Sequence, residues 1–156
     1  IYAESDLLLT ESIRRGVLAN LSAPELLSVV SAMIYESRTS ENYAPKMPHQ
    51  NVANALMGVT KIWAELEGIE NEMDVKTQRE PDFGFCYAAY RWANGHSLGS
   101  VLKGTDMTVG DFVRSIRQLI DLLTQIGAAA EELRPICKEG VKRLDRGVIS
   151  DMLADI

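Results

Sequence analysis

Cysteine and histidine are scarce: the 156 residues hold two of each, Cys86 and Cys137, His49 and His96. A chain of this length buries most of its apolar surface without staples, so a disulfide framework is not needed to hold it. Two thiols far apart, in no metal-ligand spacing, read as buried and reduced. Neither histidine has a cysteine or carboxylate at ligand spacing, which leaves zinc chemistry and histidine-dependent catalysis without their components. A phosphate-cradling G-x-x-x-x-G-K-[ST] loop is missing, so these residues carry no ATP site of that kind. No run approaches the ~20 apolar residues of a membrane-crossing helix, and no basic segment leading into an apolar one opens the chain. Alternating segments of strand length are also missing, which excludes a sheet. Basic charge is short as well: 16 Lys and Arg stand against 22 Asp and Glu, for a net charge of -6. Free-standing nucleic-acid binders show the opposite balance. Any such contact must therefore be local, or supported by other parts of a larger protein. The chain starts at Ile1 rather than methionine, which reads as a fragment of something longer.

What is present is helical patterning. Hydrophobic residues at 46% and charged ones at 24% fit a globular fold, expected as one domain over residues 1–156. An acidic first turn and an apolar stripe predict a helix from Ser5 to Leu18, closing near Asn20. Ser22-Ala23-Pro24-Glu25 is a capping box with proline in the first turn. The helix it starts, running to Arg38, is apolar nearly all round and should be the most buried, with Val30, Met33 and Ile34 nearly inaccessible. Thr39 to Pro48 reads as a loop, and a long helix follows from His49 to Val75. Asp82 caps a helix from Phe83 to Ala93 that ends on Asn94-Gly95. Ser97 caps a short one closed by Gly104. A last helix after Gly127 is expected from Ala130 to Ala154. The fold class is all-α, a compact bundle of about seven helices.

The stretch Thr108–Ile126 carries the clearest two-faced pattern. Phe112, Val113, Ile116, Leu119, Ile120, Leu123 and Ile126 share an apolar face. Asp111, Arg114, Gln118, Asp121 and Gln125 recur at steps of three and four opposite it. Such a row either hydrogen-bonds phosphates and base edges or is a solvated face, and on composition alone the ordinary solvated face is favoured. Glu65, Glu67, Glu70 and Glu72 likewise read as a solvated acidic face rather than a Mg²⁺ site. Trp63 and Trp92 sit among aliphatics and read as core, each indole N–H needing an acceptor. Ser97–Lys103 followed by the Thr108 helix has helix-turn-helix proportions, but Val109, Gly110 and Asp111 are poor occupants for a DNA major groove.

Taken in order, several segments resemble one known domain. They are Ser5-Asp6-Leu7-Leu8-Leu9-Thr10-Glu11, Val30-Ser31-Ala32-Met33-Ile34-Tyr35-Glu36-Ser37-Arg38, Tyr90-Arg91-Trp92-Ala93-Asn94-Gly95, Gly110-Asp111-Phe112-Val113-Arg114 and Arg143-Leu144-Asp145-Arg146-Gly147-Val148. Their order and spacing resemble the DSHCT domain, the C-terminal helical domain of exosome-associated DExH-box RNA helicases and bacterial HelY-type helicases, over essentially the whole chain.

The resemblance implies the helical tail of a superfamily-two, ATP-dependent RNA helicase. In that family two RecA-like domains bind ATP and Mg²⁺ and hydrolyse the nucleotide, while the helical domain guides single-stranded RNA past them. The Thr108–Ile126 helix, near 108–126, corresponds to the family's ratchet helix. Arg114 matches a family arginine on it. The RNA-contacting arginine of the eukaryotic members falls at Gln118, which hydrogen-bonds but cannot ion-pair with phosphate, and Arg117 stands ready to supply the charge. The family's acidic RNA-facing position falls at Ser37, flanked by Glu36 and Arg38. The fragment itself is expected to hold no metal or cofactor, to perform no catalysis, to be monomeric and cytoplasmic, and to have as partners the RecA-like domains of its own chain and RNA, with no membrane contact. The alternative is a structural or protein-docking bundle without nucleic-acid contact.

Overall fold

Seven α-helices and two short 3-10 turns make up the regular structure of the described residues, 6–37, 46–73 and 79–146, in the computed structural model. No strand occurs among them, and the all-α bundle expected from the patterning is what forms. The helices are α1 (Asp6–Arg14), α2 (Ala23–Ser31), α3 (Gln50–Glu72), α4 (Cys86–Ala93), α5 (Leu98–Leu102), α6 (Val109–Ala129) and α7 (Arg134–Leu144). The 3-10 turns Phe83–Phe85 and Glu131–Leu133 lead into α4 and α7.

Every residue of α2 is buried, because α3, α4, α6 and α7 all pack on it. Its capping box forms as the sequence predicts: the Glu25 N–H donates to Ser22 Oγ and the Ser22 N–H donates to Glu25 Oε1. Asn51 of α3 donates to the second Glu25 oxygen, so the buried carboxylate is satisfied on both sides. Ser28 donates to the Cys86 carbonyl at 2.7 Å and ties α2 to the start of α4.

Several expected boundaries move, each for a local reason. α2 stops at Ser31 rather than Arg38, because the backbone beyond finds partners elsewhere: the Asp82 N–H donates to Ala32 O and Arg79 donates to Met33 O. Val30 and Met33 are buried as expected, but Ile34 is only partly so, since it lies past the helix on the rim of a cleft. α1 ends at Arg14, and the chain turns through Gly16 and Asn20 with positive φ. α6 runs through Gly127 to Ala129. That glycine serves contact, not termination: a β-carbon there would sit 3.3 Å from Cys137 Cβ of α7. Leu122, left out of the expected apolar face, is buried, whereas Ile120 is only partly buried. α7 begins after its 3-10 turn, with Pro135 in its first turn; the expected stretch 147–154 lies outside the described residues.

An arginine clamp closes the far end of α4. Arg146 donates to the carbonyls of Trp92, Gly95 and His96 at 2.7–3.4 Å, and Arg143 donates to Ala93 O at 3.3 Å. These carbonyls belong to the last residues of α4 and the turn after it, where a guanidinium also meets the negative end of the helix dipole. The Arg146 guanidinium lies 3.8 Å over the Trp92 ring. Trp92 is 1% exposed, and its indole N–H donates to Leu144 O at 2.8 Å. The segment 90–95 and the described part of the last one, 143–146, are therefore halves of one contact. From Trp92 a chain of rings runs through Phe112 and Phe85 to Tyr35, with centroids 5.1–5.9 Å apart. This ladder couples the buried centre to the cleft.

Candidate functional site

The first half of α6 forms one wall of the cleft. Thr108 caps the helix by accepting from the Asp111 N–H at 3.0 Å, and so sets where each later side chain points. Asp111, Arg114, Ser115 and Gln118 then fall at spacings of three and four on one face and line an open cleft of about 840 Å³. The opposite wall is the segment 34–37, which follows the turn at the end of α2. The turn Gly104–Met107 borders the cleft too, with Gly104 at φ 83°.

A single carboxylate fixes that opposite wall. Asp82 accepts from the Ser37 N–H and the Ser37 hydroxyl, both at 2.7 Å, and from the Gly84 N–H at 2.8 Å. Its own N–H is held by Ala32 O at 2.9 Å. Gly84 makes room for this arrangement, because an added β-carbon would collide with Ser37 Oγ. Arg79 also reaches the wall, 3.7 Å from Glu36.

Of the six residues singled out from the sequence, four meet in this cleft: Glu36 and Ser37 on one wall, Arg114 and Gln118 on the other. Arg117 is exposed on α6 outside the cleft lining, and Arg38 lies outside the described residues. The Arg114 guanidinium is paired with Asp111 at 2.6 Å, the cation 61% and the carboxylate 15% exposed. Sequence reasoning missed Tyr35, Asp106, Met107 and Ser115. Ser115 was readable, one turn from Asp111 on the same face. Tyr35, Asp106 and Met107 enter only through tertiary placement.

Three carboxylates (Glu36, Asp106, Asp111) and one guanidinium line the cleft, along with hydroxyl and amide groups. Among the described residues no histidine, cysteine or lysine lines it. Such a surface hydrogen-bonds a polar ligand along its length but does not by itself concentrate polyanions. No cluster of three His, Cys, Asp or Glu able to hold a metal occurs among the described residues. Both thiols are free and buried; burial pushes Cys86 up to about 12 and Cys137 to about 11, so neither is a nucleophile near neutral pH. α5 is a five-residue helix packed on α4, which leaves little of the helix-turn-helix proportions. Among the described residues no helix is long and apolar enough to cross a membrane.

These features define a helical domain that presents a polar cleft beside its most sharply two-faced helix. The chain belongs to the DSHCT (NUC185) domain family, whose model matches residues 1–151. It is 37% identical to the probable helicase HelY of Mycobacterium leprae and 35% identical to that of Mycobacterium tuberculosis, over 96% of this chain and 18% of theirs. It is 26% identical to the human exosome RNA helicase MTR4, over 96% of this chain and 15% of that protein. The chain thus spans less than a fifth of the length of these relatives, and it is a domain of the kind that helicases carry.

Proposed function

We propose that this chain is the C-terminal helical domain of an ATP-dependent superfamily-two RNA helicase, that it guides single-stranded RNA past RecA-like motor domains, and that α6 acts as the ratchet helix. One observation carries the reading: Arg114 and Gln118 of α6 line a single cleft with Glu36 and Ser37 of the opposite wall. Gln118 and Ser115 suit base or sugar edges, and Arg114 suits a phosphate or a base acceptor. Arg117 and Arg38 are assigned to the same path as flanking contacts. The net charge of -6 fits a part whose phosphate contacts come chiefly from other domains. ATP and Mg²⁺ belong in this reading to the motor domains, and the chain carries no catalysis of its own. The whole works as one domain in the cytoplasm, in contact with the motor domains.

A second reading has its own observation. The 2.6 Å Arg114–Asp111 pair is what a purely structural or protein-docking bundle places on a solvated face. The two separate in a full-length helicase carrying Arg114→Ala. The RNA-guiding reading expects RNA-stimulated ATP hydrolysis to come uncoupled from unwinding, with the salt slope of single-strand binding lowered by about one. Gln118→Arg should raise affinity modestly. Normal coupling in Arg114→Ala together with a lowered melting point of this chain would leave the structural bundle standing.

A further inference from the structure

Away from the cleft, on the opposite stretch of the same helix, α6 and α7 enclose a second groove of about 350 Å³. Leu123, Gly127 and Cys137 form its buried floor; Ala128, Lys138 and Val141 stand along its edges. Two glycines bring the helices this close: a β-carbon on Gly140 would lie 3.1 Å from Leu123, and one on Gly127 would press on Cys137. Thr124, also on the edge, turns its hydroxyl back to Ile120 O. The lining between 134 and 141 covers about two turns, ~10 Å along α7.

The rim of this groove runs against the charge of the molecule. Arg134 and Lys138 line it and Lys142 follows one turn further along α7, outside the lining, all three exposed in a protein with 22 acidic and 16 basic residues. Arg134 spends only its Nε–H, on Gly127 O at 2.9 Å. Lys138 and Lys142 form no ion pair among the described residues, whereas Arg143 on the next position is matched to Glu139. An apolar trough with a cationic edge selects an occupant that is aliphatic on one side and acidic on the other. Single-stranded RNA would gain nothing from a floor without aromatic rings. A bilayer surface is met by protruding apolar side chains, not by a recess.

We propose that the α6–α7 groove is a docking site for an acidic amphipathic helix of a partner protein, seated by aliphatic side chains at i, i+3/i+4 and i+7 and steered by Lys138 and Lys142. The proposal is independent of the RNA reading, which concerns the other half of α6. The test is fluorescence anisotropy of this chain with a synthetic helical peptide bearing leucines at those positions and glutamates elsewhere. A lysine-for-glutamate version, a labelled oligouridine and anionic lipid vesicles complete the probe set. The acidic peptide should bind, weakening about fivefold in Lys138→Glu and with rising salt, and the lysine version should not. Ala128→Arg, on an exposed edge position, should abolish binding while leaving the melting temperature unchanged; Thr124→Arg serves the same purpose if Ala128→Arg fails to fold. Equal binding of both peptides, no binding of the acidic one, unchanged binding in the arginine variants, or a Lys138→Glu defect seen with oligouridine or vesicles instead would overturn it.

Discussion

The two ends of the Trp92–Tyr35 aromatic ladder behave oppositely. At the Trp92 end the polar groups are answered from within the chain: the indole N–H by Leu144 O, and the carbonyls at the end of α4 by Arg143 and Arg146. At the Tyr35 end the ladder opens onto a cleft whose Glu36, Asp106, Arg114 and Gln118 are turned towards solvent. A helix end sealed by arginines of the same chain is structure; a wall held by Asp82 while the polar face opposite stays accessible is where the proposed RNA path runs. The contrast is energetic, because satisfied buried groups stabilise the fold whereas exposed charges contribute little to it.

The strongest way to break the contrast is to cut the sealed end. Trp92→Ala should cost about 3–5 kcal/mol in chemical denaturation, through the cavity and the orphaned Leu144 carbonyl. A loss no larger than that of an exposed-site variant would remove the ladder from the core. Gly84→Ala tests the rigid wall from the cleft side. The forced contact with Ser37 should destabilise by about 1–3 kcal/mol, and adding Ser37→Ala should recover part of it. No recovery in the double variant would mean that Asp82 does not organise this corner through Ser37. Ile34→Ala comes next. The sequence placed Ile34 in the core, where about 2–5 kcal/mol would follow, but on the cleft rim about 1 kcal/mol is expected from the shift in denaturation midpoint.

Arg114→Ala should move stability by no more than about 0.5 kcal/mol, since an exposed i,i+3 pair is screened by solvent. A larger drop in melting temperature would turn Arg114 into a structural residue. The smallest effect is a pH dependence at the other end of the bundle. The Arg14 guanidinium, hydrogen-bonded to Glu11 and joined by Arg15, holds this half-buried carboxyl at about 2. A lowered acid contributes above its unfolded value near 4.5 and loses that contribution as pH falls from there towards 2. Glu11→Gln should therefore flatten the acid limb of the melting-temperature profile slightly, and 150 mM salt should shrink the difference further.

Much of the bundle was legible from residue order because the signals are local. Capping at Ser22, Asp82, Ser97 and Thr108 each rests on a side chain within three residues of the N–H it accepts. The apolar stripe of α6 is a periodicity of one segment, and it buried Phe112, Ile116, Leu119 and Leu123 as the spacing required. Helix ends were less legible. α2 stops where the Asp82 N–H, fifty residues on, takes the Ala32 carbonyl, and nothing near Ala32 announces it.

The cleft shows the same division. Arg114 and Gln118 share a face by helical geometry alone, and so does Ser115. Their partners across the gap depend on Asp82 pulling Ser37 into place and on a turn at Gly104 bringing Asp106 and Met107 alongside. Whether a polar row is a solvated face or half of a binding site depends on what stands opposite it. That is a long-range fact, set by a few hydrogen bonds between segments far apart in sequence, so helical period and capping chemistry belong to the residues in order while the second wall exists only once the chain has packed.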